Sequence, residues 1–405
     1  MAKQAAAVNV TKFPEVNHEQ LAEFLDLHYQ FADGKLGRRK NLCVVGEMGT
    51  AKSAFVRSWA EGKFDVVFDF RGATQTPEDM TGNPRITERE VKDASGKVIY
   101  MDLATDWARP GWIPVDKSKK MLIIFEEINR AAKDVQQAIF QALTENRIHT
   151  HEFPAFTQIV ALINPPDSKY QVDKLDIAMH DRFFNVVLKP NVKHFLEYLH
   201  STDADQRIIQ FMTVHPELLC VVNEEPPSAT LRGWEDLSDI MKSGISDDAI
   251  AMHAAARVGG EIAATLRSYI DYKHERPVGA RELLKDYDKV RAKLHAQEND
   301  QNGVTTQDLI ALLTAKPGKL DAKSFDNLKK YLIDKKGALP KKGDVEYEED
   351  KDGVQIDNRP SVCPGDCKYD LVNRIHDSQQ AQLSDVDELV EYISTVMSKS
   401  GKKFQ

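Results

Sequence analysis

The stretch that most constrains this chain is Gly46-Glu47-Met48-Gly49-Thr50-Ala51-Lys52-Ser53. It follows the apolar run Asn41-Leu42-Cys43-Val44-Val45 and precedes the helix-like Ala54-Phe55-Val56-Arg57-Ser58-Trp59-Ala60. A buried strand, a glycine-bearing turn and a helix in that order are the form of a phosphate-binding loop. A triphosphate needs inward-facing backbone N–H groups, a helix N-terminus for positive potential, a lysine for the outer phosphates and a hydroxyl for Mg²⁺. Gly46, Gly49, Lys52 and Ser53 sit where those jobs fall, with Glu47, Met48, Thr50 and Ala51 completing the cradle. Ala51 departs from the pattern G-x-x-x-x-G-K-[ST], which has a second glycine before the lysine. The change is mild if the local φ is negative. An ordinary strand-to-helix turn with a surface lysine is the alternative, and the flanking strand and helix favour the nucleotide.

The next informative run is Lys120-Met121-Leu122-Ile123-Ile124-Phe125-Glu126-Glu127. A continuous apolar stretch ending in two carboxylates is what a central parallel strand looks like when its C-terminal end faces a ligand. In a chain that also carries a phosphate loop, Glu126 is assigned to the Mg²⁺ and Glu127 to the attacking water. A solvated pair of strand-end acids is the bland alternative. Residues 158–166 form another apolar run, ending at Asn164-Pro165. Asn164 is able to hydrogen-bond a γ-phosphate or the lytic water, and Asn before Pro is equally a turn signal.

The spacing predicts a helix over 17–31, a second buried strand over 64–70, a helix over 131–146 and a strand over 185–188. Ser95-Gly96-Lys97 sits between two β-like runs and suggests a hairpin, which composition alone reads as a decorated surface loop. At 405 residues, with 41% hydrophobic and 29% charged content, the chain is long enough for two or three globular domains. No run of about eighteen apolar residues occurs, so no membrane span is expected, and the first ten residues are too polar for a secretory signal. Four cysteines suit a reducing compartment, hence the cytoplasm. A net charge of −9 argues against a surface covered with nucleic-acid phosphate contacts without excluding a local basic channel.

With these pieces in order, the chain resembles the AAA+ ATPases, and within them the MoxR-like branch. The resemblance covers approximately residues 18–290 and is carried by the Gly46 to Ser53 loop, Phe125-Glu126-Glu127-Ile128-Asn129-Arg130-Ala131, Asn164-Pro165 and Asp181-Arg182-Phe183. The Glu-Ile-Asn-Arg-Ala string is the most specific. The resemblance implies an α/β fold, a P-loop NTPase αβα sandwich, with an α-helical lid and a mostly helical C-terminal extension. The implied domains are a core over 1–195, a lid over 196–295 and an extension over 296–405. Gly46 to Ser53 would be Walker A, Glu126 and Glu127 Walker B, and Asn164 sensor 1. Arg182 resembles the arginine finger that reaches a neighbouring subunit's site, and Arg232, in Ala229-Thr230-Leu231-Arg232-Gly233-Trp234, resembles sensor 2 of the lid. The family pattern more often has Asp than Glu at the place of Glu126. ATP and Mg²⁺, a homo-oligomeric ring that is hexameric by default, and a protein client, often one with a von Willebrand A domain, are implied by the resemblance alone. Similar ATPases also occur in phage genomes.

Two other classes compete with an ATP-driven remodeller. One is a nucleic-acid motor or restriction-type NTPase, with GTP as the alternative nucleotide, which the acidic balance and the lack of an added DNA-binding motif oppose. The other is a nucleotide-binding switch or scaffold with little turnover, supported only by Glu126 and Ala51. Beyond residue 300, two short helices are expected at 304–313 and 321–333, a basic linker at 335–343, an acidic stretch at 344–353 and a last helix at 384–398. Cys363-Pro364-Gly365-Asp366-Cys367 lacks a second ligand pair for zinc, so two loop thiols are expected.

Overall fold

The computed structural model describes residues 13–166, 174–271, 276–316, 318, 320–337, 348–349, 355–356, 360–364, 367–368 and 370–375. The chain divides into two compact units, the first running to Pro190 and including 222–224, the second taking the rest.

The first unit runs β1 (Glu15–Val16), α1 (His18–Tyr29), β2 (Asn41–Val45), α2 (Lys52–Ala60), β3 (Val66–Arg71), α3 (Pro77–Thr81), β4 (Pro84–Lys92), β5 (Val98–Trp107), β6 (Met121–Glu126), α4 (Lys133–Glu145), β7 (Arg147–Ile148), β8 (His151–Glu152), β9 (Thr157–Ile163), α5 (Ile177–His180) and β10 (Phe183–Leu188). Six strands form one parallel sheet in the order β1-β10-β2-β9-β6-β3. Every residue of β2, β6 and β9 is buried, because helices cover both faces. Alternation along β2 sorts the layers. Leu42 and Val44 pack with Leu21 and Leu25 of α1 and Val56 and Ala60 of α2, while Cys43 and Val45 pack with Val135, Ile139 and Ala142 of α4. The expected αβα sandwich is therefore observed.

Local chemistry explains the helix starts. Asn17 caps α1 by accepting from the Gln20 N–H at 2.9 Å, and the Gln20 side chain returns the bond to the Asn17 N–H at 3.0 Å. The region where Ser95-Gly96-Lys97 suggests a hairpin and composition a decorated loop is an antiparallel hairpin, β4 against β5, with a register shift at Val91 and Lys92. Its turn is fastened by Asp93, which accepts from the N–H groups of Ser95 and Lys97, with Gly96 at φ 87°. Ile86, Met101 and Leu103 stay exposed on this hairpin, so composition was a poor guide to its regularity.

His28 on α1 is buried against Phe24 and Phe184. Burial, assisted by the charge of Lys40, lowers its pKa from 6.5 to about 4. The unfolded chain therefore takes up the proton first as pH falls, and the stability His28 contributes as a neutral ring is lost between pH 6.5 and about 4. The loss should amount to roughly 3 kcal/mol at about 1.4 kcal/mol per pKa unit. His28→Leu is expected to flatten that part of the pH–stability curve in urea titrations, and an unchanged acid limb would contradict the assignment.

The second unit is helical: α6 (Val192–Ser201), α7 (Gln206–Val214), α8 (Leu231–Lys242), α9 (Asp247–Val258), α10 (Gly260–Asp271), α11 (Ala280–Lys285), α12 (Tyr287–Ala296), α13 (Asn299–Ala315) and α14 (Ala322–Ile333). Side chains of Asn191, Asp205, Thr230, Ser246, Asp286 and Asp321 cap α6, α7, α8, α9, α12 and α14. The helix expected over 304–313 starts earlier, at Asn299, where Glu298 and Gln301 form a reciprocal cap that outweighs Gly303. Residues on both sides of position 295 share one core: Val278, Leu283, Tyr287 and Leu294 pack with Leu309, Leu313, Leu328, Tyr331, Cys363 and Ile375. In the acidic stretch, Glu348–Glu349 pairs antiparallel with Gln355–Ile356. The helix expected at 384–398 lies outside the described residues.

Asp308 of α13 ties four helices together. Its carboxylate meets the buried His200 ring of α6 at 2.7 Å, accepts from Gln206 of α7 at 3.1 Å and accepts from the Ala280 N–H of α11 at 2.7 Å. Both His200 and Asp308 are fully enclosed. Removing the acceptor strands three polar groups in a dry interior. Asp308→Ala should cost about 3 kcal/mol or more in chemical denaturation, and a loss below about 1 kcal/mol would rule out this keystone role.

Candidate functional site

Parallel pairing brings the C-terminal ends of β2, β9 and β6 to one edge in that order. The loop 46–51, Asn164 and the Glu126-Glu127 pair therefore lie side by side. The Gly46 N–H donates to Ile163 O at 3.1 Å, which fixes where the loop leaves the sheet. A Cβ at Gly46 would meet Lys52 Cδ at 3.1 Å and Thr50 Oγ1 at 3.3 Å, so glycine keeps the cradle tight. Thr50 is buried and donates from Oγ1 to Glu47 O at 2.8 Å. Gly49 takes φ 69°. Met48 is exposed at the loop's crest.

Lys52 opens α2 and its ammonium turns back over the loop. It donates to Gly46 O at 2.7 Å, Glu47 O at 2.8 Å and Asn164 Oδ1 at 3.1 Å. The lysine and the strand-end asparagine are thus in direct contact. Ser53, the next residue of α2, is half-buried.

Ala51 corrects a sequence expectation. It is the residue before α2, at φ 64° and ψ 19°, in the left-handed region and not at negative φ. A Cβ there costs roughly 1–2 kcal/mol. Ala51 also supplies no capping side chain, so α2 begins without the acceptor that α6, α7, α8, α9, α12 and α14 obtain from Asn, Asp, Ser or Thr. An uncapped helix start behind a glycine loop leaves N–H donors that suit an anion, which is an observation in favour of a phosphate ligand.

Glu126 is the last residue of β6 and is buried. Its Oε1 accepts from Arg57 Nη2 at 2.9 Å, and Oε2 lies 3.6 Å from Arg71 Nε. Arg57 comes from α2 and also donates from Nε to Asp69 Oδ2 at 2.6 Å. The other Asp69 oxygen, Oδ1, is buried with no partner. Ser53 and Glu126 offer hard oxygen donors, the kind Mg²⁺ takes from proteins together with water and phosphate. This donor chemistry fits the ion, although the Glu126 carboxylate is engaged by arginine. Among the described residues, no group of three or more His, Cys, Asp or Glu side chains is positioned to hold a metal. Cys363 and Cys367 are free thiols, with Cys363 buried and its pKa pushed up to about 11 by that burial.

Glu127 is held in a left-handed conformation at φ 53° and ψ 39°. Its N–H donates to Leu162 O at 2.8 Å and its carbonyl accepts from the Arg130 N–H at 2.8 Å. Gly72 permits this turn, since a Cβ there would come within 2.8 Å of Glu127 O. The Glu127 side chain is largely open to solvent, with Arg130 at 3.8 Å. Such strain at a strand end accords with a functional constraint. Asn129, buried beneath, donates to Asn164 O at 3.0 Å.

The two arginines stand elsewhere. Arg182 precedes β10 and pairs by register with the N-terminal end of β2, since Phe183 lies opposite Asn41. That is the far edge of the sheet from the loop, roughly 16 Å away at about 3.3 Å per residue. Its guanidinium donates to Ala178 O at 3.1 Å and Asp181 Oδ2 at 3.0 Å and stacks 4.6 Å from the Phe140 ring centroid. Arg232 belongs to the second unit and is exposed in the first turn of α8. A cation at a helix start opposes the dipole by about 0.3–1 kcal/mol, so helix stability does not account for it.

Sequence reasoning missed Arg57, Asp69, Asn129 and His18, whose Nε2 lies 3.2 Å from Thr50 O. Asp69 was detectable, because it breaks an otherwise apolar strand. Asn129 lies in the Glu-Ile-Asn-Arg-Ala string already singled out, while Arg57 and His18 carry no pattern that separates them from surface polar residues.

Residues 41–183, from the first residue of β2 to the first of β10, match the family model described as AAA domain (dynein-related subfamily). No curated protein matches the chain. Among solved structures, Thermotoga maritima RuvB, titled a Holliday junction branch migration motor, is similar at 14% identity over 68% of this chain and 76% of that one, with a TM-score of 0.34. A point mutant of the same protein is similar at 15% identity over 70% and 80%, with a TM-score of 0.35. The match to an AAA domain thus spans β2, β3, β6 and β9 of the six-stranded parallel sheet, within a P-loop α/β fold.

The left-handed alanine gives a direct test of the loop geometry. Ala51→Gly should raise stability by about 0.5–1 kcal/mol, the relieved strain less the added chain entropy of glycine. Calorimetric melting would read it, and a clear destabilisation would contradict the positive φ.

Proposed function

We propose that this chain is an ATP-hydrolysing AAA+ ATPase of MoxR-like type that assembles into a ring, by default a hexamer, and remodels or activates a partner protein. The observation that carries the reading is the meeting of Lys52, Asn164 and the Glu126-Glu127 pair at one sheet edge, with Arg182 at the opposite edge. The first three complete one half of a phosphoryl-transfer site. The arginine is out of reach of its own loop and suits a neighbouring copy's.

In this reading the Lys52 ammonium exchanges its carbonyl partners for the outer phosphates, and the uncapped start of α2 donates N–H groups to the same oxygens. Mg²⁺, held by Ser53 and Glu126, would draw charge from the β- and γ-phosphate oxygens. Glu127 accepts a proton from the attacking water or orients it. Asn164, already bonded to Lys52, supplies a further polar contact at the γ-phosphate. Arg182 supplies positive charge in trans, and Arg232 reports on the phosphates from a helical lid, residues 196–295. Residues 296–405 serve the ring or the client. A client with a von Willebrand A domain and a cytoplasmic setting belong to this proposal through the MoxR-like resemblance. No described helix is long and apolar enough to cross a membrane.

Purified chain should hydrolyse ATP and gain mass in sedimentation on adding nucleotide. Lys52→Ala should abolish nucleotide binding, and Glu127→Gln should bind normally while turning over about 10² to 10⁴ times more slowly. Arg182→Ala should slow turnover by about 10³ or more with unchanged binding, and mixing it with Lys52→Ala protein should restore part of the rate. Turnover undiminished in Lys52→Ala would end the reading. Strong stimulation by DNA, or tighter binding of GTP than ATP, would favour the nucleic-acid alternative.

A further inference from the structure

The Glu126 carboxylate has two claimants. It is the acid expected to serve the metal, yet Arg57 Nη2 already donates to it at 2.9 Å and Arg71 lies 3.6 Å from its other oxygen. Arg57 does not depend on Glu126 alone, because the same guanidinium also reaches Asp69 through Nε and Nη2. Asp69 and Arg71 project from the same face of β3, and register puts Arg71 opposite Glu126 and Asp69 opposite Ile124. The guanidinium therefore bridges the carboxylates of two adjacent strands.

The environment makes that bridge easy to open. The Arg57 side chain is 43% exposed, so water screens its pairing, while that of Glu126 is 10% exposed and cannot satisfy itself with solvent alone. A buried carboxylate beside a phosphate loop needs a cation, and a half-exposed guanidinium with a second anchor can leave without losing its own partner. Arg57 also sits in α2, five positions after Lys52, on the helix whose first turn meets the phosphates.

We infer that Arg57 and a divalent cation compete for Glu126, with Asp69 retaining the guanidinium when the metal is bound. Arg57 is then a positioning residue that sets the metal concentration at which the site loads. This rests on the reading of Glu126 as the metal carboxylate. The guanidinium reaches Asp69 through two nitrogens and Glu126 through Nη2 alone, so its bond to Glu126 is the one a cation displaces.

The test is a titration of the full chain with Mn²⁺ at saturating ATP, read by the electron paramagnetic resonance signal of free Mn²⁺ under conditions where the ATP-only background is subtracted. Arg57→Leu should lower the Mn²⁺ midpoint about three- to tenfold, since the competitor is gone. Asp69→Asn should raise it about threefold, since the guanidinium has lost its alternative anchor and stays on Glu126. Arg57→Lys, which keeps the charge without the fork, should fall between the parent chain and Arg57→Leu. Opposite shifts from two neighbours distinguish competition from general damage to the fold. Glu126→Gln should raise the midpoint and cancel the effect of Arg57→Leu in the double variant. An unchanged or raised midpoint in Arg57→Leu, or a persisting Arg57 effect without Glu126, overturns the inference while leaving the metal role of Glu126 intact. A midpoint indifferent to Glu126→Gln instead removes the metal reading, and the competition with it.

Discussion

Parallel pairing is the constraint from which the rest of this site follows. Strands that all run the same way send every C-terminal end to one edge, and each crossover helix then starts near that edge with its N–H groups facing outward. In this chain β9 lies between β2 and β6, so an asparagine from one strand separates the glycine loop of a second from the carboxylates of a third. The contact of Lys52 with Asn164 is the closest expression of that order. The same geometry sends the residue before β10 to the other edge, which is why Arg182 stands apart from the groups it resembles in function.

Two non-glycine residues in the left-handed region, Ala51 and Glu127, stand at the ends of β2's loop and of β6. Their cost is borne by a sheet whose central strands are entirely buried, and the surrounding hydrogen bonds leave them little freedom. Glu127 is pinned through both its N–H and its carbonyl, and Gly72 clears the space its carbonyl needs. At these two of the five non-glycine residues with positive φ among the described residues, strain coincides with positions where a ligand's charge would be met.

Much of the first unit was legible because burial writes itself into composition. The runs ending at Val45, Phe125 and Ile163 are apolar without interruption, as strands covered on both faces must be, and each is followed by polar residues that burial cannot explain. The sign of φ at Ala51 was not legible, since alanine carries no mark of the backbone it adopts. The hairpin of β4 and β5 was legible only at its Ser95-Gly96-Lys97 turn, because its exposed faces mix Ile86 and Leu103 with charged residues and obey no burial pattern. Arg57 was hidden for a related reason: an arginine on a helix surface looks alike whether it faces water or bridges two carboxylates. In the second unit, periodicity found α13 and α14 but not the Asp308 cluster, which joins positions far apart in the chain.

The N-terminal helix is more than a cover for the sheet. His18, held one residue past its cap at Asn17, reaches the carbonyl of Thr50 in the middle of the glycine loop, while Leu21 and Leu25 anchor the same helix beneath α2. Any trimming, protease nick or fused tag that intrudes past Asn17 therefore strips a strut from the loop itself. Its damage would reach the geometry of the loop as well as the packing on the sheet, and an engineer who took residues 17–29 for a dispensable leader would misdiagnose the fault.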